Sequence, residues 1–187
     1  MPTELESKIH VESHEQAREK LRLGSATFIG SVLEINRILD RDDGELLKTG
    51  CGLRVRSITT QSGDTPKSTL TYKGVRIPGK FKQREELETQ IDDADALVSI
   101  LGALGYRPKI IFEKRRETWR LGPCNVELDE LPKLGLFIEV EGPNEASIDE
   151  VLALLDLTGR TSMGESYVSL LMEGRMPEAG RHCEFRF

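Results

Sequence analysis

Leu136-Phe-Ile-Glu-Val-Glu-Gly142 alternates apolar and ionised side chains with a period of two, placing Glu139 and Glu141 on one face of a strand and Ile138 and Val140 on the other. The same arrangement recurs up the chain. Residues 109–120 pair Lys114 with Arg116 across from Ile111 and Trp119. Residues 52–60 pair Arg54 with Arg56 opposite Leu53 and Val55, and near residue 70 Thr71 and Lys73 oppose Leu70 and Tyr72. In 81–91 Arg84, Glu86 and Glu88 line up against Leu87 and Ile91, and at the start Glu4, Glu6 and Lys8 oppose Leu5, Ile9 and Val11. Strands are thus predicted at 3–11, 28–39, 52–60, 68–76, 81–91, 109–120, 124–130 and 136–142, with Gly or Pro in many of the gaps.

Helices are fewer. Ser13 and Gln16 have capping-box spacing and open a helix over 13–22; Asp92 and Asp93 precede the stripe Leu97, Ile100, Leu101 and Leu104; Ser147 and Glu150 form a second box ahead of Val151, Leu152, Leu154 and Leu155. A last short helix is expected over 165–173, and residues 176–187 read as a tail behind one domain at 1–175. The fold class predicted is α+β, an antiparallel β-barrel with a few flanking helices.

Composition narrows the function. Among 187 residues, 32 acidic side chains outnumber 26 basic ones, for a formal charge of −6, and aromatics are 5%, which argues against a nucleic-acid polymer as partner. No apolar run approaches membrane-spanning length, and the charged N-terminal segment lacks a signal-peptide core, so a cytoplasmic location is expected. Cys51, Cys124 and Cys183 are odd in number and far apart, which suits neither a disulfide framework nor a zinc site.

Any one ionic strand face is most simply the solvated side of a half-buried sheet. Across the set, two features point elsewhere. Charges sort by sign within most strands, where a surface tuned for solubility intersperses them. Like charges about 4 Å apart in a partly protected site also repel by about 4 kcal/mol, so such clusters need counter-ions. Collected on one face, the cations are Lys8, Arg54, Arg56, Lys73, Arg84, Lys114 and Arg116; the acids are Glu4, Glu6, Glu86, Glu88, Asp129, Glu139 and Glu141. Arginine forks suit phosphate oxygens and carboxylates suit Mg²⁺ or Mn²⁺. An eight-stranded barrel is about wide enough for one small ligand.

These residues resemble the CYTH superfamily, the triphosphate tunnel metalloenzymes. Glu4-Leu-Glu-Ser-Lys8 resembles the E-x-E-x-K signature, followed in order by Leu53-Arg-Val-Arg56, Thr71-Tyr-Lys-Gly74, Arg84-Glu-Glu-Leu-Glu88, Lys114-Arg-Arg116, Val126-Glu-Leu-Asp129 and Glu139-Val-Glu141. The resemblance implies an eight-stranded triphosphate tunnel. Glu4, Glu6, Asp129, Glu139 and Glu141 would hold divalent ions; Arg54, Arg56, Lys73, Arg84, Lys114 and Arg116 would grip the phosphates. Lys8, Glu6, Glu139 and Glu141 would stand nearest the chemistry, and Glu86 and Glu88 would line the tunnel. Homodimers are common for such barrels.

The segments around Phe81–Glu88, Leu104-Gly-Tyr106 and Lys114 look closest to the class IV adenylyl cyclase branch, although Ile38-Leu39-Asp40 stands where that branch often carries an aromatic pair before an Asp. The resemblance therefore implies conversion of ATP to cyclic AMP and pyrophosphate, with hydrolysis of tripolyphosphate or thiamine triphosphate as the alternative, and a non-catalytic polyphosphate or nucleotide binder as a reading of another class. Gly74-Val-Arg-Ile-Pro-Gly-Lys80 nearly spells a phosphate-binding P-loop, but Phe81 replaces the Ser or Thr and strand alternation follows, so a strand-to-strand loop is expected.

Overall fold

A computed structural model of the chain describes residues 3–60, 67–172 and 181–187. Eight antiparallel strands appear where alternation predicts them, with bounds shifted by one or two residues: β1 (Thr3–Val11), β2 (Thr27–Asp40), β3 (Gly52–Thr60), β4 (Lys67–Ile77), β5 (Lys82–Ile91), β6 (Arg107–Leu121), β7 (Cys124–Leu131) and β8 (Gly135–Glu141). They run in the order β2-β3-β4-β5-β1-β8-β7-β6, and a β2–β6 pairing closes the sheet into a barrel. Closure pairs β2 on both sides over most of its length, with β3 through Val32–Leu39 and with β6 through Thr27–Asp40.

The two faces of each strand go to different environments. On the outside, Ile9, Val126, Leu128, Ile138 and Val140 pack under α1 (Glu15–Leu23) and α4 (Glu145–Leu154), which supply Ala17, Leu21, Ile148, Val151 and Leu152. Full burial of a side chain such as Val140 stabilises the fold by about 1.5–3 kcal/mol. A second apolar cluster packs Ile38, Ile110, Phe112, Leu131 and Phe137 against Tyr167, Leu171 and Met172 of α5 (Tyr167–Met172).

Helix starts depart from the sequence reading in two places. The α1 N-cap is His14, and Ser13 Oγ accepts only from Glu15 N, at 3.1 Å. Helix α4 begins before the expected box, because Asn144, a better cap held extended behind Pro143, accepts from Ser147 N at 2.9 Å. Asp93 does cap α3 (Ala94–Ala103), through Asp95 N and Ala96 N. The four-residue α2 (Glu45–Lys48), too short for any period to show, is held by Asp40, whose carboxylate accepts from Leu46 N and Leu47 N at 3.1 and 2.9 Å.

Of the tail expected at 176–187, residues 176–180 lie outside the described residues, and the remainder contributes a strand. Cys183–Phe185 forms β9, parallel to Ile110–Phe112 of β6. Strand β7 pairs with β6 only from Arg115 to Leu121, so the earlier part of that edge is open to the C-terminal segment. The P-loop-like stretch is the end of β4 and the connection into β5, as expected.

Candidate active site

The ionic faces point inward. They line a half-open cavity of about 810 Å³ bordered by Glu4, Glu6, Lys8, Arg54, Arg56, Lys73, Arg84, Glu86, Glu88, Lys114, Arg116, Glu139 and Glu141. Asp129 is placed differently. It is fully buried in the wall, where it accepts from Lys114 Nζ at 3.2 Å, from Arg116 Nη2 at 2.6 Å and from the Tyr167 hydroxyl at 3.0 Å.

Register explains how so many ions share one cavity. Charges alike along a strand meet opposite charges across it: Glu4 is opposite Arg84, Glu6 opposite Lys82, Lys8 opposite Glu139, Lys73 opposite Glu86, Glu34 opposite Lys114, and Arg116 opposite Asp129. Side chains exploit this proximity. Lys73 Nζ lies 2.9 Å from Glu4 and 2.8 Å from Glu86; Arg54 reaches Glu86 at 3.6 Å; Arg56 reaches Glu88 at 3.2 Å and Glu34 at 3.4 Å. Lys8 Nζ stands 3.4 Å from Glu139 and donates to the Glu165 carbonyl at 2.9 Å. Much of the repulsion read from the sequence is thus relieved between strands.

Burial and ion pairing compete at each carboxylate. For Glu34, burial acts to raise the pKa, but Lys114, Arg116, Arg56 and Arg54 together hold it well below the usual carboxylate range. Glu139 is likewise held low against its burial, by Lys8, Arg116 and Lys114. Burial pushes Glu127 up to about 8, aided by Asp129 and Glu139, although Arg116 touches it. Glu141 is raised by burial and then by Glu4, Glu6 and Glu86.

The carboxylates sort into two groups with different fitness for a cation. Oxygens of Glu127, Asp129 and Glu139 lie within 4.8 Å of one another, but the Arg116 guanidinium reaches all of them. On the other side, Glu6 and Glu141 sit directly opposite each other in register, and among the described residues no ion pair within 4.0 Å reaches Glu141. Like charges directly opposite are destabilising. Glu6 is paired with Lys82 and Lys8, and Glu4 with Lys73, so a hard divalent cation on this side would bind Glu141 first and share the other carboxylates with ammonium groups rather than with a guanidinium.

Several residues in or behind the cavity wall were given no site role by the sequence reading, which placed Tyr167 only in a closing helix. Lys82 and Glu127 continue the alternation through Arg84 and Asp129, so the pattern contained them. Glu34, buried in the wall behind the lining residues, could not be found that way, because its face continues as Asn36 and Ile38 and carries no second charge before Asp40. Tyr167 arrives from α5, remote in sequence, and sets its ring 4.2 Å from Lys8 Nζ.

The sequence model of the CYTH domain matches residues 2–163. The chain belongs to the CYTH domain family. A Methanocaldococcus jannaschii protein named as a candidate adenylate cyclase, MJ0240, is 26% identical over 176 residues, covering 89% of this CYTH chain and 97% of the relative. The PH1819 protein of Pyrococcus horikoshii OT3 superposes with a TM-score of 0.78 at 27% identity, over 92% of this chain and 99% of that one. HpAC1 of Hippeastrum, described as having a dominant triphosphatase activity, shares the CYTH fold at a TM-score of 0.73 and 18% identity, over 97% and 100% of the two chains.

Proposed function

We propose that this CYTH protein is a divalent-metal-dependent enzyme that acts on an organic triphosphate, in the manner of a class IV adenylyl cyclase, converting ATP to cyclic AMP and pyrophosphate. One observation carries the reading. The cavity wall is not ionic throughout: Ile38, Leu47, Phe112 and Val168 border the same space as the arginines and carboxylates. Inorganic tripolyphosphate has no use for an apolar wall, whereas a nucleoside triphosphate has a base to bury there.

In this reading Arg54, Arg56, Lys73, Arg84, Lys114 and Arg116 bind the phosphates and neutralise charge gathering on the leaving pyrophosphate. The Nε groups of Arg54, Arg56 and Arg84 are buried without a hydrogen-bond partner among the described residues, a cost that these side chains bear in the cavity wall. Glu4, Glu6, Glu139 and Glu141 would hold Mg²⁺ or Mn²⁺, with Asp129 acting behind them by fixing Lys114 and Arg116. The bound ion would supply Lewis acidity, lowering the pKa of the attacking hydroxyl and drawing charge from the phosphate. Lys8, between Glu6 and Glu139, holds both carboxylates in place, while Glu86 and Glu88 keep Lys73, Arg54 and Arg56 pointed into the tunnel. The bond formed joins the ribose 3′-oxygen to the α-phosphorus, the bond from that phosphorus to the bridging oxygen breaks, and the hydroxyl proton passes to solvent water.

Hydrolysis is the second reading, since several cations border the cavity and a shifted chain would present its terminal phosphorus to water, and triphosphatase activity is described for HpAC1. Incubation with ATP, tripolyphosphate and thiamine triphosphate in turn, with Mg²⁺ or Mn²⁺, decides between them by chromatography of products. Cyclic AMP with pyrophosphate is expected from ATP. Orthophosphate from any of the three points to hydrolysis, and intact substrates with measurable binding would leave a non-catalytic binder.

A further inference from the structure

Two of the cations lining the cavity differ from the others. Every other Lys or Arg there has a carboxylate oxygen within 4.0 Å, but among the described residues Arg76 and Arg84 have none. They are also directly opposite each other across β4 and β5. A bulge puts them there. Lys73 is opposite Glu86 and Arg76 opposite Arg84, so β4 carries one residue more than β5 between these pairs, which brings Arg76 onto the face of Lys73. Simple alternation from Lys73 would have put Val75 in that place.

The local packing keeps Arg76 in position. Its guanidinium lies so close to Gly164 that a Cβ at 164 would collide with it. Arg84 Nε is buried with no hydrogen-bond partner among the described residues. Two like charges placed opposite each other cost stability; Glu4 faces Arg84 in register from β1, but among the described residues no carboxylate oxygen comes within 4.0 Å of either guanidinium. Paired guanidinium forks are suited to phosphate oxygens. Arg76 is exposed and Arg84 half-buried, so the pair stands at the solvent side of the cavity.

We propose that Arg76 and Arg84 form a rim clamp for the outermost phosphate of a polyphosphate chain, beyond the phosphates gripped by Arg54, Arg56 and Lys114. The inference rests on the tunnel being a triphosphate site, and it adds Arg76 as a residue that sets preference for chain length. A chain of three phosphates reaches the rim, whereas pyrophosphate is held by the deeper cations alone.

Calorimetric titration of tripolyphosphate and pyrophosphate, with Ca²⁺ as the divalent ion, tests this in wild type, Arg76→Ala, Arg76→Lys and Arg56→Ala. In Arg76→Ala, affinity for tripolyphosphate should fall about tenfold, the size expected for one charge-assisted contact, with little change for pyrophosphate. Arg76→Lys should recover part of the loss. The midpoint of thermal unfolding should stay level or rise, because a like-charge pair has been removed. Unchanged tripolyphosphate affinity in Arg76→Ala overturns the clamp, as does an equal loss for both ligands with a lower unfolding midpoint, which is the signature of a packing role against Gly164. Binding that Arg56→Ala abolishes and Arg76→Ala spares leaves the tunnel reading standing and removes only the clamp. Failure of the wild type to bind either anion overturns both.

Discussion

Glu141 and Glu34 show how differently two carboxylates of one barrel can serve it. Glu141 borders the cavity opposite Glu6 and lacks an ion pair among the described residues, so its charge is a cost that a bound cation offsets. Glu141→Ala should therefore reduce turnover roughly a hundredfold or more while the thermal midpoint stays within about 2 °C or rises. A matching loss of stability would assign Glu141 to structure. Glu34 is the reverse case, buried between Lys114 and Arg56 with a pKa held low by them. Its contribution is complete above the ordinary value of 4.5 and is lost as pH falls toward the depressed folded value. Glu34→Gln should cost about 3 kcal/mol at neutral pH. In urea unfolding, the gap between wild type and variant should narrow from about pH 5 to pH 3. A gap independent of pH would mean that Glu34 acts through packing alone.

At the scale of elements, starts and irregularities decide what a strand or helix presents. Helix α4 begins at Glu145 because Asn144 accepts the Ser147 amide. Asn144→Ala should then lower stability by about 1 kcal/mol, and Ser147→Ala by clearly less. Equal effects in chemical denaturation would favour the capping box read from Ser147 and Glu150. The bulge in β4 has a larger consequence. Before it, Thr71 and Lys73 follow strict alternation; after it the phase is reversed, and Arg76 enters the cavity wall. Strand β9 is also invisible to periodicity, since three residues carry no pattern, and its pairing depends on β6 reaching past the end of β7.

For the whole molecule, the governing fact is that the barrel neutralises itself. Arg116 is shared by Glu127, Asp129 and Glu139, and Lys73 by Glu4 and Glu86, so each ligand must compete with ion pairs already made. A divalent cation that occupies carboxylates frees basic groups for phosphate, and phosphate does the same for the metal. Binding of the two should be mutually reinforcing. Thermal shifts with Mg²⁺ alone and tripolyphosphate alone should add to less than the shift with both, which reaches about 2.7 kcal/mol of stabilisation at a hundredfold excess over Kd. Strictly additive shifts would show that the internal ion pairs do not couple the ligands.

Along the chain, a period of two assigned each strand and sorted its side chains into an apolar and an ionic face, because the pleat alone sets that division. The residues of β1, β3, β5, β6 and β8 that border the cavity were therefore legible, as was their family signature. Which charge would stand beside which was not legible, because cross-strand register depends on closure between β2 and β6, elements far apart in sequence. Glu34 lying between two cationic strands follows from that closure, whereas Tyr167 reaches Asp129 through the return of α5 and Arg76 is turned inward by one extra residue in β4. Local alternation states where a side chain points relative to its own strand; only the assembled barrel brings it to a partner.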